Sequence, residues 1–97
     1  MNMEDYIAYV ERMCTNWRSY LGKDNYKAAQ VSGTAFTIDR LGNNEVALTF
    51  GVNHLGKWYN ASLTAGFKSN DIGIPEWQPR QQDAARSLLL DIAKQMA

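Results

Sequence analysis

The sequence predicts an α+β fold, a two-layer sandwich in which a three-stranded antiparallel sheet carries an N-terminal and a C-terminal helix on one face, in the order α-β-β-β-α. Three observations predict it. Apolar residues alternate at period two through the middle of the chain. A single register closes three successive runs with apolar residues opposite apolar ones. Both ends of the chain repeat their apolar residues at helical spacing.

The sheet is read from Val31 to Phe67, and its middle strand is the clearest. Val46, Leu48, Phe50 and Val52 alternate with Glu45, Ala47, Thr49, Gly51 and Asn53, so one face is apolar and the other small and polar. The third run, Trp58 to Phe67, places Tyr59, Ala61, Leu63 and Ala65 on odd positions and Asn60, Ser62 and Thr64 on even ones. Closing a two-residue loop at Leu55 and Gly56 pairs Val52 with Tyr59, Phe50 with Ala61, Leu48 with Leu63 and Val46 with Ala65. A slip of one residue would turn all of them to solvent. The first run, Thr34 to Leu41, joins the second through Gly42, Asn43 and Asn44, residues that tolerate turn geometry. This sets Ile38 opposite Leu48, Phe36 opposite Phe50 and, on the outer face, Thr37 opposite Thr49.

Between Met3 and Leu21, Tyr6, Ile7, Val10, Met13, Cys14, Trp17, Tyr20 and Leu21 form one helical stripe, with Glu11, Arg12, Asn16 and Arg18 on the wet side. Asn2 is its N-cap, Glu4 and Asp5 suit the positive end of the helix dipole, and Gly22 is its stop. Lys23 to Gln30 lacks a period and reads as a connecting loop running into the first strand from Lys27, with a bulge at Gly33. Lys68 to Gln78 reads as an irregular segment held down by Ile72, Ile74 and Trp77. Pro79 opens the last helix, whose apolar stripe is Ala85, Leu88, Leu89, Ile92 and Met96 and whose polar side is Arg80, Asp83, Arg86, Asp91 and Lys94.

Ninety-seven residues with 45% hydrophobic and 21% charged content suit one folded domain spanning residues 1–97. Ten basic residues balance ten acidic ones, so no long-range field draws the chain to a polyanion or an anionic membrane. The start, Met1-Asn2-Met3-Glu4-Asp5, is acidic where a signal peptide is basic, and no apolar run is long enough to span a bilayer. A lone cysteine, Cys14, provides no internal disulfide. The expectation is a soluble, unprocessed, cytoplasmic protein.

Catalytic chemistry finds little to work with. His54, the only histidine, sits at a hairpin end, and Cys14 lies on the apolar stripe of the first helix, away from it. One Cys and one His do not make a zinc site. Asp39, Glu45, Asp71, Glu76, Asp83 and Asp91 stand in no apolar context that would tune an acid or base, and the glycines are scattered singly rather than grouped in a phosphate loop. The expectation is a protein that is not an enzyme and takes no metal or cofactor.

The closing run Asp83-Ala84-Ala85-Arg86-Ser87-Leu88-Leu89, taken with the order α-β-β-β-α, resembles the alanine-rich second helix and topology of double-stranded RNA-binding domains. That resemblance implies nucleic-acid contacts through Arg80, Arg86 and Lys94. The family sets a lysine cluster at the start of this helix, whereas this chain has Pro79-Arg80-Gln81-Gln82-Asp83, which speaks against nucleic acid as the partner.

The outer sheet face points elsewhere. By alternation it holds Ala35, Thr37, Ala47, Thr49, Gly51, Asn53, Asn60, Ser62 and Thr64, with Trp58 at one end, and charge enters only near the hairpin ends at Asp39, Glu45 and Lys57. Solvated faces commonly carry Lys and Glu that resist association, and flat, small-residue faces accept a partner. The sequence therefore predicts a protein-binding module, an inhibitor or adaptor of a larger partner or of its own copy, of the kind phages and mobile elements direct at host defence complexes. Its binding face is Thr37, Thr49, Asn53, Trp58, Asn60, Ser62 and Thr64.

Overall fold

Each cross-strand pair that the alternation dictates is present in the structure, a computed structural model that describes residues 1–21 and 26–97. Strands β1 (Val31–Arg40), β2 (Glu45–His54) and β3 (Lys57–Ser69) form antiparallel neighbours in which Ile38 faces Leu48 and Leu48 faces Leu63, while Phe36 faces Phe50 and Phe50 faces Ala61. The β2–β3 turn places Leu55 at φ 54° and Gly56 at φ 84°, the left-handed pair that matches the twist of a tight hairpin. The register of β1 shifts between Val31 and Gly33, so the expected bulge is there.

Among the described residues the sheet has four strands rather than three. Pro75–Gln78 forms β4, which pairs antiparallel with the end of β3 through Gly66 with Gln78, Phe67 with Trp77, Lys68 with Glu76 and Ser69 with Pro75. Four residues are too few to display a period, and Pro75 masks the strand although proline is tolerated at a strand's first position. Asn70 builds the turn before it. Its Oδ1 accepts from the Ile72 N–H at 3.1 Å and the Ile74 N–H at 2.9 Å, and its own N–H donates to the Ile74 carbonyl at 3.0 Å. This turn holds its isoleucines outward, with Ile72 78% and Ile74 54% exposed, so of the three residues expected to pack down only Trp77 does.

The N-terminal helix is divided. α1 (Met3–Thr15) ends at Asn16 and α2 (Trp17–Leu21) follows. Thr15 Oγ1 bonds back to the Glu11 carbonyl at 2.8 Å, a contact that bends helices, and the Asn16 N–H turns to the Met13 carbonyl at 3.1 Å. The break keeps Trp17 buried but leaves Tyr20 exposed. At the other end, Asn2 caps α1 as expected, its Oδ1 accepting from the Asp5 N–H at 2.8 Å. The expected stop at Gly22 lies outside the described residues. So does part of the expected loop, whose remainder contains a short helix, α3 (Tyr26–Ala29); the strand starts at Val31, not at Lys27.

Helix α4 spans Gln81–Met96, so Pro79 is outside it. Arg80 is the N-cap, with extended backbone at φ −61° and ψ 154°, and its carbonyl accepts the first helical bond from the Ala84 N–H at 2.8 Å. The Gln78–Pro79 peptide is cis. The Pro79 carbonyl serves Tyr6 instead of the helix.

The observed order is thus α1-α2-α3-β1-β2-β3-β4-α4, an α+β architecture with an antiparallel sheet and flanking helices. Tyr6, Ile7, Val10 and Cys14 of α1 and Ala85, Leu88, Leu89 and Ile92 of α4 share one core with Val46, Leu48, Phe50 and Val52 of the sheet. Both long helices therefore cover the same face. Among the described residues no helix is long and apolar enough to cross a membrane.

Candidate interaction face

With the helices on one side, no described element covers the other side of the sheet. Its side chains form rows across three strands: Thr37, Thr49 and Ser62 in one, Ala35, Gly51 and Asn60 in the next, then Asn53 beside Trp58 toward one end and Ala47 beside Thr64 toward the other. Neighbouring rows lie about 7 Å apart and neighbouring strands about 5 Å. The sequence-predicted residues are therefore brought together on one surface. Thr37, Trp58, Asn60, Ser62 and Thr64 are exposed, and Thr49 and Asn53 half-buried, shaded by their neighbours.

Two of these residues cover a third. Asn60 Oδ1 occupies the space a Cβ at Gly51 would take, and Trp58 Cε3 lies 3.4 Å from that position. Gly51 is buried beneath them although it faces outward. A glycine in mid-strand forfeits packing, and an aromatic from the adjacent strand laid over it restores some. Trp58 remains 47% exposed, a broad apolar plate beside a row of hydroxyls and amides. At the same end Asn53 Oδ1 accepts from the Gly56 N–H at 3.0 Å and pairs with Ser32 Oγ at 3.2 Å, which ties the hairpin tip to the bulge of β1.

Charge is confined to the margins. Lys57 turns away, its Nζ 5.0 Å from the Tyr59 ring centre on the helix side of the sheet. Lys68 lies across Gly66 at the far end, near Glu45. Between these limits the face presents Thr, Ser, Asn, Ala and one Trp, with Asp39 at its β1 margin.

The alternative set is dispersed. Arg80, Arg86 and Lys94 are all exposed, but Arg80 is paired with Glu76 at 3.2 Å. Arg86 and Lys94 stand about 12 Å apart along the axis of α4. Asp83 and Asp91 share its exposed surface.

The residues that could carry chemistry are spread out too. His54 ends β2, half-buried, with its ring 6.4 Å from that of Tyr59. Cys14 is sealed in the core, where burial, with Glu11 adding to it, pushes its thiol up to about 12 and keeps it protonated and unreactive. Among the described residues no group of three or more His, Cys, Asp or Glu side chains could hold a metal ion. A feature without a sequence signal is the Asn70 turn, which exposes Ile72 and Ile74 beside an open groove lined by Met1, Phe67, Pro75, Trp77 and Arg80.

No protein-family model, curated protein or solved structure matches this chain.

Proposed function

We propose that the protein is a non-enzymatic, cytoplasmic binding module that acts by laying the outer face of its sheet on another protein, as an inhibitor or adaptor. The observation that carries this reading is the union of Thr37, Thr49, Asn53, Trp58, Asn60, Ser62 and Thr64 on a surface that no described element covers and that holds no charge at its centre. Small hydroxyl and amide side chains lose little conformational entropy on docking, and the half-exposed Trp58 offers the kind of aromatic anchor on which binding energy concentrates. The single thiol, Cys14, is buried and fits a reducing compartment.

The test is the double substitution Thr49→Lys with Ser62→Lys, neighbours across β2 and β3. Two ammonium groups at the centre of the face must be desolvated on docking, while the exposed side of the sheet tolerates them. The expected outcome is an unchanged circular dichroism spectrum together with loss of the proteins that the unmodified chain retains from host lysate. Retention that survives undiminished rejects the face. A parallel titration with duplex RNA at two salt concentrations distinguishes the nucleic-acid reading, since contacts to phosphates weaken steeply with salt.

A further inference from the structure

The two edges of the sheet are finished differently. On the β3 side, β4 covers the stretch from Gly66 to Ser69, and Gln95 of α4 donates to the Asn60 carbonyl at 2.7 Å. On the other side β1 is the last strand, and no described element pairs with its outer edge. The Leu41 N–H donates to the Glu45 carbonyl at 2.9 Å, which fixes the parity of the ladder: odd positions of β1 bond to β2, and the N–H and C=O groups of Thr34, Phe36 and Ile38 point to the open side. Long edge strands are ordinarily blunted by a charge, a proline or a bulge. Here the bulge lies at one end of β1 and Asp39 and Arg40 at the other, so the middle, Thr34-Ala35-Phe36-Thr37-Ile38, is unguarded.

We propose that this edge pairs antiparallel with β1 of a second copy, across a twofold axis at Phe36, to make one continuous sheet of twice the width. The proposed register keeps Phe36 on the axis. Centred on Phe36, the pairing sets Phe36 opposite itself, Thr34 opposite the partner's Ile38, Ala35 opposite the partner's Thr37 and Gly33 opposite the partner's Asp39. Each outward-pointing pair exchanges two backbone hydrogen bonds. Moving the centre to Ile38 sets Arg40 against the partner's Phe36 and overruns the end of the strand, and moving it to Thr34 runs into the bulge.

Side chains agree with this register. On the helix side, Phe36 and Ile38 are only partly buried, a row of apolar groups that the helices leave half open, and the axis sets that row against its own copy. No like charges stand opposite one another. Glu4 holds Arg40 through contacts of 2.8 to 3.1 Å, and the antiparallel arrangement carries this carboxylate toward the partner's Arg18, which lines an open groove with Thr15, Trp17 and Ser32. The inference is independent of the outer-face reading, because it rests on the edge of β1 and not on the exposed face.

Sedimentation equilibrium at micromolar concentration tests it. The unmodified chain is expected at twice 11.0 kDa. Thr34→Pro, which removes an outward N–H without touching the β1–β2 ladder, is expected as a monomer with an unchanged circular dichroism spectrum. Phe36→Cys gives a check that does not depend on how well the proline variant folds. Opposed residues of such a pair have Cα atoms about 5.5 Å apart, within disulfide range, so mild oxidation is expected to yield a cross-linked dimer, while the unmodified chain, whose only thiol is the buried Cys14, yields none. A monomeric unmodified chain, or no cross-link at Phe36→Cys, overturns the proposal. A dimer that survives Thr34→Pro but is lost with Thr49→Lys and Ser62→Lys also overturns it, and leaves the outer-face reading standing.

Discussion

The Tyr6 hydroxyl donates a 2.6 Å hydrogen bond to the Pro79 carbonyl, fastening the first turn of α1 to the link between β4 and α4. The ring of Tyr6 stacks on Trp77 with centroids 5.0 Å apart, and Trp77 Nε1 donates to the Met1 carbonyl at 3.0 Å. Two buried aromatics thus satisfy their polar atoms on backbone carbonyls while closing one end of the core.

Tyr6→Phe keeps the stacked ring and removes the hydroxyl, leaving the Pro79 carbonyl without its partner. The expected loss is about 1 to 3 kcal/mol, the range for a buried acceptor deprived of its donor. Urea midpoints measure it, given an unchanged slope. A change below about 0.5 kcal/mol would mean that water satisfies the carbonyl equally well.

Burial raises the Tyr6 hydroxyl from its ordinary 10.0 to about 12, with the charge of Asp83 adding to the effect, and raises the Cys14 thiol from 9.0 to about 12. In the unfolded chain both lose their protons at the ordinary values, so between about pH 9 and pH 12 the unfolded state binds fewer protons and stability falls as pH rises. Below that window the contribution is fully present. Denaturant midpoints at pH 8 and pH 10.5 are expected to show the fall, and Cys14→Ala to reduce it. A Cys14→Ala chain with an identical slope against pH contradicts the burial assigned to the thiol.

Leu48 is fully buried at the centre of β2, between Ile38 and Leu63. Leu48→Ala is expected to cost about 2 to 5 kcal/mol, because the sheet on one side and two helices on the other cannot collapse into the space. That is a large share of a typical domain's stability of about 5 to 15 kcal/mol. A urea-derived loss under roughly 1 kcal/mol would be inconsistent with this packing.

The strands were legible because a half-buried sheet writes its two faces into alternate residues, and because Gly42 and Gly56 mark the ends of β2. The apolar stripes of α1 and α4 were legible for the same reason at helical spacing. Local competition was not. Asn16 ends α1 by a hydrogen bond to Met13 that no hydropathy pattern announces, and β4 forms because Trp77 packs against Tyr6 and Phe67, contacts distant in sequence. Pro79 has the chemistry of a helix start but gives its carbonyl to Tyr6. On the candidate face, alternation fixed which residues point outward, whereas the cover that Asn60 and Trp58 place over Gly51 depends on rotamers that alternation does not encode.

That cover responds to a side chain at residue 51. A Cβ at residue 51 takes the space of Asn60 Oδ1 and presses on Trp58 at 3.4 Å, so Gly51→Ala must swing the Asn60 amide aside and shift the indole by a few tenths of an ångström. Asn60 is exposed and its amide moves cheaply. Alanine in mid-strand recovers about 0.5 to 1 kcal/mol of the glycine's backbone entropy, and the lost contact offsets it, leaving a net change within about 1 kcal/mol. The informative readout is fluorescence, because Trp17 and Trp77 are buried and Trp58 is the tryptophan that acrylamide reaches. Gly51→Ala is expected to raise quenching, and Gly51→Val, with a bulkier side chain, to raise it further. Unchanged quenching in both variants would show that the indole does not rest on Gly51, and would remove the fixed aromatic plate from the proposed binding face.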